Sequence, residues 1–317
     1  AGRKNLIING GFDVWQRGTS FTTNGYTADR WELGLSGATS TVTQQAFTLG
    51  QTEVPDNPTY YLKVDTTTAD NNCGLYYRVE DVRNGAGQNV TLSFWAKGTN
   101  PAGDVFDLIS SQRFGTGGSG NVETITPLTF TSSWVKYTHT FSLASIAGKT
   151  VGAGNNLTLS IRQDADDTST TAWNLNIANV QLELGSVATD FEHRSYGEEL
   201  ALCQRYYQRI SQSGGDYYVM ASKGQSSDTV RFAQQLAVPL RVSPTISQGG
   251  GIGTWRVFRP TQGVISSSST PTTVGFVENA GFVSLQIAGF SGVTDNYFYG
   301  TSPSFQSSGY FDMDSEL

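Results

Sequence analysis

The sequence predicts an all-β protein with an N-terminal jelly-roll β-sandwich, one short connecting helix and a β-sandwich-like C-terminal domain. Three observations support this fold class. The 317 residues include 36 glycines and only 15% charged residues, a composition that favours strands and turns over helices. Many segments alternate apolar and polar residues with a period of two. A helical period occurs convincingly only once, over residues 195–210.

Residues 1–195 are predicted to be strands separated by turns, which defines the first domain. In residues 90–97, Val90, Leu92, Phe94 and Ala96 share one face, whereas Thr91, Ser93, Trp95 and Lys97 share the other. Residues 75–80 and 157–162 alternate in the same way. Strands with one aliphatic and one polar face are typical of two stacked antiparallel sheets, so a sandwich of jelly-roll type is expected.

A helical connector is predicted over residues 196–211. Leu200, Cys203, Tyr207 and Ile210 recur at helical spacing. Ser195 is placed to cap the helix, with Glu198 three residues later. After this segment the alternation returns, interrupted by stretches rich in Gly, Ser and Pro. Residues 212–317 are therefore expected to form a second β domain.

Composition excludes some partners and covalent features. The net charge of −7 and the isoelectric point near 4.9 argue against nucleic acid, because a basic surface is needed to neutralise phosphates. No stretch is apolar enough to insert into a bilayer. Cys73 and Cys203 are far apart and lack metal-ligand spacing, so buried free thiols are favoured over a disulfide.

Several segments carry a resemblance to a known family. The opening "NLIINGGFDVWQRG" at 5–18 and "YTADRW" at 26–31 are similar to the openings of bacteriophage tail-fibre and virion adhesin proteins. The block "NVQLELGSVATDFEHRSYGEELALCQRYYQ" at 179–208 resembles the signature that closes their sandwich and leads into their helix. "VPLRVSPTIS" and the final "DMDSEL" resemble parts of their C-terminal halves.

The resemblance implies a jelly-roll like those of carbohydrate-binding modules, followed by a tip domain. It also implies a protein made in the host cytoplasm and carried on the virion, in a tail fibre or another surface appendage. There it would contact other virion proteins and bind a host-surface glycan. A homotrimer is expected, because a short helix with an apolar face is marginal alone; packing of that face against the chain's own β domain is the alternative.

The sequence predicts no cofactor, and a structural calcium ion is the alternative that the resemblance implies. Many carbohydrate-binding jelly-rolls hold their first strand to their last with calcium, and Asp13 and Glu183 are the carboxylates that the resemblance places for it. A surface or hydrogen-bonded role for both residues is the alternative. "DADD" at 164–167 has carboxylates at spacings that suit one hard cation, but it lacks the remaining pattern of an EF-hand, so a solvated turn is favoured.

The motifs favour binding over catalysis. "GTGGSG" at 115–120 matches a dinucleotide-binding pattern, but no helix follows it, so a loop is predicted. His139 and His193 lack zinc spacing, and His139 is expected to be a core residue. Glycoside hydrolysis needs two acidic groups facing one cleft, for which Glu80 and Asp104 are candidates. A polysaccharide depolymerase and a structural virion decoration protein therefore remain the alternative functions.

The predicted glycan-binding residues lie mainly on the polar faces of the N-terminal strands. Trp95 would stack on a sugar ring while charged neighbours orient its hydroxyls. Lys97 shares the face of Trp95 by alternation. If neighbouring strands pair in register, four more residues face the same way: Tyr76, Arg78, Glu80 and Arg162. Packing of Trp95 under a loop or another subunit is the alternative. In the C-terminal domain, Tyr297 and Tyr299 follow a turn and are predicted to form an outer recognition surface.

Overall fold

The protein forms two compact units, residues 1–200 with Leu317 and residues 201–316. The structure is a computed structural model that describes residues 4–68, 73–101, 105–163, 171–215, 220–249, 252–259, 263–267, 272–276, 281–293 and 298–317. Antiparallel strands dominate both units, which confirms the predicted all-β class. Among the described residues, no helix has the length and apolar character required to cross a membrane.

The N-terminal unit is a sandwich of two six-stranded antiparallel sheets. Its strands, in chain order, are β1 (Ser20–Phe21), β2 (Gly25–Tyr26), β3 (Trp31–Gly34), β4 (Thr39–Ala46), β5 (Tyr60–Thr68), β6 (Gly74–Glu80), β7 (Asn89–Thr99), β8 (Phe106–Arg113), β9 (Val122–Leu128), β10 (Val135–Ser142), β11 (Asn156–Gln163) and β12 (Trp173–Leu184). Sheet A has the order β1-β4-β5-β12-β7-β10, and sheet B has the order β2-β3-β6-β11-β8-β9.

The core of this unit lies between the two sheets, on the faces that the alternation predicts. β7 contributes Phe94 and its aliphatic neighbours, and β6 and β11 contribute residues such as Tyr77 and Leu159. Phe106, Phe130 and Trp173 fill the same cluster. The residues that alternate with these point to the two outer faces of the sandwich, where any binding surface of the sheets must lie.

The opening segment binds along β12 through hydrogen bonds but is not itself a regular strand. The side chain of Asn5 donates to the Val180 carbonyl and accepts from the Leu182 amide. The Val180 amide also donates to the Gly10 carbonyl at 2.9 Å. A Cβ atom at position 10 would lie 2.1 Å from the Val180 oxygen, so only glycine permits this close approach. The aromatic and polar residues that follow are thus held against the sandwich.

The helix is shorter than predicted. Helix α1 (Tyr196–Gln204) is followed directly by strand β13 (Tyr207–Gly215), so Tyr207 and Ile210 belong to a strand. The Ser195 hydroxyl accepts from the Glu198 amide, which confirms the N-cap. Cys203 and Tyr207 are buried and do not offer an open face to another subunit. The homotrimer stays a prediction without support from this helix.

The C-terminal unit is one nine-stranded antiparallel sheet around its own apolar core. The strands after β13 are β14 (Met220–Gly224), β15 (Val230–Gln235), β16 (Thr245–Gly249), β17 (Ile252–Arg259), β18 (Gly263–Ser267), β19 (Thr272–Phe276), β20 (Phe282–Ile287) and β21 (Phe298–Asp314). The long final strand β21 pairs with β13, β14, β16 and β17. Trp255, Phe232 and Phe311 form the centre of its core. Cys73 and Cys203 are buried thiols that form no disulfide, as predicted.

Candidate functional site

The predicted glycan-binding residues of the N-terminal unit lie on two opposite outer faces. Trp95 and Lys97 belong to β7 of sheet A, whereas Tyr76, Arg78 and Glu80 belong to β6 of sheet B. Arg162, on β11, also belongs to sheet B. The expectation that all six residues face the same way is therefore wrong, because β6 and β11 pair with each other and not with β7.

The outer face of sheet A is covered around Trp95. This residue packs with Val54, Trp134 and Ala178 in a separate apolar cluster. Phe47 and Tyr61 complete that cluster, in which the rings of Phe47 and Trp134 are 5.3 Å apart. Val54 lies in the loop between β4 and β5, so Trp95 packs under a loop. Lys97 places its ammonium group 5.2 Å from the centre of the Trp134 ring. These contacts fit a structural role for Trp95.

The outer face of sheet B carries an open groove of about 260 Å³. Glu32 on β3 is directly opposite Tyr76 on β6, and Arg78 forms an ion pair with Glu32. Arg78 also donates to the Tyr26 hydroxyl at 3.0 Å. Asn24, Gly34, Leu35, Ser36 and Arg113 complete the wall. Because a Cβ atom on Gly34 would lie 2.5 Å from the Tyr76 ring, glycine lets the ring rest directly on β3.

A second set of charges continues across the same face. Arg162 donates to the Tyr76 hydroxyl, and its guanidinium lies 3.8 Å from the carboxylate of Asp107 on β8. Burial raises the pKa of the Tyr76 phenol, so the hydroxyl is protonated near neutral pH. Tyr76 thus shares its outer face with Arg78, which pairs with Glu32, and with Arg162, which pairs with Asp107. Glu80 lies farther along β6, opposite Asn156.

Arg113, like Glu32, is a residue of this groove that the sequence did not predict. It is half-buried at the end of β8, and its Nε is buried with no hydrogen-bond partner among the described residues. The rest of its guanidinium likewise forms no hydrogen bond or ion pair with any residue that the structure describes. The alternation Asp107, Ile109, Ser111, Arg113 could have identified this outward-facing row. Its donors are available to a ligand.

Of the two predicted recognition residues of the C-terminal unit, Tyr299 lies within the described ranges and Tyr297 does not. Tyr299 is 4% exposed and packs in the core of this unit, so its ring has no open face for a sugar. The prediction that Tyr299 lies on an outer recognition surface is therefore wrong, because the register of β21 turns its side chain inward. Tyr297, Asp104 and the "DADD" segment at 164–167 lie outside the described residues. "GTGGSG" lies in a loop, as predicted.

The two predicted calcium ligands have different surroundings. The Glu183 carboxylate accepts hydrogen bonds from the amide and hydroxyl of Thr189. Asp13 lines a separate cavity near His193. Throughout the described ranges, no group of three or more His, Cys, Asp and Glu side chains could hold a metal ion. Glu183 therefore fits the hydrogen-bonded role, and a structural calcium ion held by Asp13 and Glu183 stays a prediction.

Glu183 should stabilise the sandwich in a pH-dependent way. Burial raises its pKa, but hydrogen bonds from Thr189 and the charge of Lys4 outweigh burial and lower it. A carboxylate with a lowered pKa stabilises the fold above its unfolded pKa of about 4.3, and this contribution is lost as the pH falls through the folded value. We expect Glu183→Gln to lower the free energy of unfolding by about 1–3 kcal/mol at pH 7.

The difference between wild type and Glu183→Gln should shrink below about pH 4.3, measured by urea unfolding at a series of pH values. Glu53→Gln, which changes an exposed carboxylate in the loop before β5, is the control and should leave stability unchanged at every pH. A constant gap between wild type and Glu183→Gln down to pH 3 would contradict the interpretation.

Comparison with known proteins gives fold-level similarities only. No family model matches the chain, and no curated protein matches it. The N-terminal cellulose-binding domain of Cellulomonas fimi β-1,4-glucanase C is 18% identical, with a TM-score of 0.33 and coverage of 56% of this chain and 95% of that one. The CBM22-1 xylan-binding domain of Paenibacillus barcinonensis Xyn10C is 16% identical, with a TM-score of 0.32 and coverage of 59% and 100%.

A third similar structure is the family 11 carbohydrate-binding module of the Clostridium thermocellum cellulase Lic26A-Cel5E. It is 14% identical, with a TM-score of 0.33 and coverage of 54% of this chain and 97% of that one. At these identities and TM-scores, none of the three assigns a ligand to this chain.

Proposed function

We propose that the N-terminal unit binds a carbohydrate non-covalently in the groove on the outer face of sheet B. The observation that supports this most is the placement of Arg113, a half-buried cation with no hydrogen-bond partner among the described residues, beside the Tyr76 ring. The groove is open to solvent along a sheet face. A linear saccharide can lie along such a surface without deep burial.

The chemistry of the groove suits a sugar. A sugar ring has an apolar C–H face, which packs on an aromatic ring, and a rim of hydroxyls, which bind charged donors and acceptors. Tyr76 supplies the aromatic surface, Arg113 the unused donors and Glu32 an acceptor. The ion pair between Arg78 and Glu32 holds the acceptor in place before a ligand arrives, which reduces the entropy lost on binding.

Binding to an array of neutral and acidic oligosaccharides tests the proposal. For the best ligand on the array, we expect Arg113→Ala to weaken binding about tenfold, the effect of losing one charge-assisted hydrogen bond. Tyr76→Ala should weaken binding by a similar factor. Lys97→Ala removes a half-buried cation from the opposite face and is the matched control, with unchanged affinity expected. Equal loss in Lys97→Ala, or no binding by the wild type, would contradict the proposal.

The finer part of the proposal is that this binding attaches a virion to its host. The resemblance of residues 5–18 and 179–208 to phage fibre proteins supports it. A cryo-EM map of the intact virion would test the location, and light scattering of the purified chain would test the homotrimer. Symmetric seating on a capsid or tail without glycan binding would favour a decoration protein. Oligosaccharide released from a bound polysaccharide would favour a depolymerase.

A further inference from the structure

A second cavity of about 380 Å³ lies in the N-terminal unit and shares no lining residue with the groove on sheet B. Its wall combines the opening segment, the loop before β5, the irregular part of β12 and the segment before α1. These parts contribute Asp13, Asp56, Asn179 and His193 respectively. The register of β12 shifts between Ala178 and Gln181, and bulges of this kind often redirect side chains at functional sites.

Two acceptors of the wall receive no hydrogen bond from a described residue, whereas Arg194, which also lines it, is already paired with Glu192 and Glu199. Asp13 is half-buried and forms no hydrogen bond or ion pair with any described residue. Asn179 is 5% exposed, and its Oδ1 accepts no hydrogen bond within the described ranges. Burial of polar groups without partners costs free energy, and a ligand that brings donors would offset this cost. Burial, followed by the negative charge of Glu199, raises the pKa of the Asp13 carboxyl, and His193 offsets only part of this rise.

The remaining wall suits an organic cation better than a metal ion. Asp56 lies 3.8 Å from the His193 ring and is half exposed. The described carboxylates and histidines do not converge closely enough for a metal. Tyr60, Phe191 and Tyr196 add aromatic rings to the same wall. Carboxylates combined with aromatic rings bind ammonium groups through ion pairs and cation–π contacts.

We propose that this cavity binds the primary ammonium group of a small organic molecule. Asp13 and Asp56 supply the negative charge, the Asn179 amide supplies an acceptor and the aromatic rings contact the adjoining carbon atoms. The site is independent of the proposed carbohydrate groove, since the two have no residue in common.

A chemical-shift titration of the ¹⁵N-labelled full chain tests the proposal, with cadaverine as the amine and 1,5-pentanediol as its uncharged analogue. We expect saturable shifts of the amides of residues 191–196 with cadaverine and none with the diol. Asp13→Asn preserves the shape and removes the charge, and should weaken cadaverine binding about tenfold. Asp56→Asn, at a more exposed position, should also weaken it. Glu53→Gln, in the same loop as Asp56, is the matched control and should bind as wild type.

Three results would overturn the proposal. Equal shifts with the diol would show that charge is not recognised, and saturable binding of calcium chloride instead of cadaverine would show a metal site. The absence of shifts at residues 191–196 with cadaverine would show that the amine does not bind there. Carbohydrate binding by Asp13→Asn should equal that of wild type, so failure of the groove proposal and failure of this one are distinguishable.

Discussion

Replacing Arg194 with alanine is expected to lower the free energy of unfolding of the N-terminal unit by about 3–5 kcal/mol. The Arg194 side chain is 4% exposed. It donates to the backbone carbonyls of Asn5 and Ile7 at 2.7 and 3.0 Å and pairs with Glu192 and Glu199. The substitution leaves the buried Glu199 without its cation, and an uncompensated buried charge is costly.

Urea unfolding followed by tryptophan fluorescence measures this effect, because five of the six tryptophans lie in residues 1–200. Arg83→Ala breaks an exposed ion pair with Asp81 and is the matched control, with a loss below about 1 kcal/mol expected. Adding Glu199→Gln to Arg194→Ala should recover part of the loss, since it removes the unpaired charge. A loss in Arg194→Ala no larger than in Arg83→Ala would refute this account.

The same contacts explain the opening of the sequence. Asn9 has a positive φ of 58° and is fully buried. Its side chain donates to the carbonyls of Val14 and Asp29 and accepts from the Val14 amide, while its own amide donates to Glu199. Asparagine tolerates this left-handed conformation better than most residues. The Asn-Gly-Gly sequence thus makes a buried corner that connects the N-terminal segment to the start of α1.

Local patterns predicted the strands well because alternation directly reports which side chains of a strand are buried. The inward row of Val90, Leu92, Phe94 and Ala96 and the outward position of Trp95 are both observed. The helix was predicted too long because Tyr207 and Ile210 continue the helical spacing by coincidence. In the fold, these residues pair with Phe311 and Asp314 of β21, and long-range pairing overrides a short periodic signal.

The candidate site was predicted only in part because alternation does not determine strand order. It shows that Trp95 and Tyr76 each lie on a polar face, but not that the two faces belong to opposite sheets. In a sandwich, neighbours in the chain commonly alternate between sheets, as β6 and β7 do. Arg113 was missed for the same reason, since only the pairing of β11 with both β6 and β8 brings it near Tyr76.

Replacing Trp95 with alanine is expected to lower the stability of the N-terminal unit without changing its affinity for a glycan. Trp95 packs with Val54, Trp134 and Ala178, and its removal leaves a cavity under the loop that carries Val54. We expect the free energy of unfolding to fall by about 2–4 kcal/mol, below the cost for a fully buried tryptophan because Trp95 is partly exposed. Urea unfolding measures this loss. Glycan affinity of the folded protein should equal that of wild type.

Tyr76→Ala is the variant to compare with Trp95→Ala, because it removes an aromatic ring from the outer face of the other sheet. It should lose affinity for the glycan while retaining most of its stability, since Tyr76 is only half-buried over Gly34. Trp95→Ala should therefore lose stability but keep its affinity, whereas Tyr76→Ala should lose affinity but keep its stability. If Trp95→Ala lost glycan binding with its stability intact, the binding surface would lie on sheet A and the groove around Tyr76 and Arg113 would have to be given up.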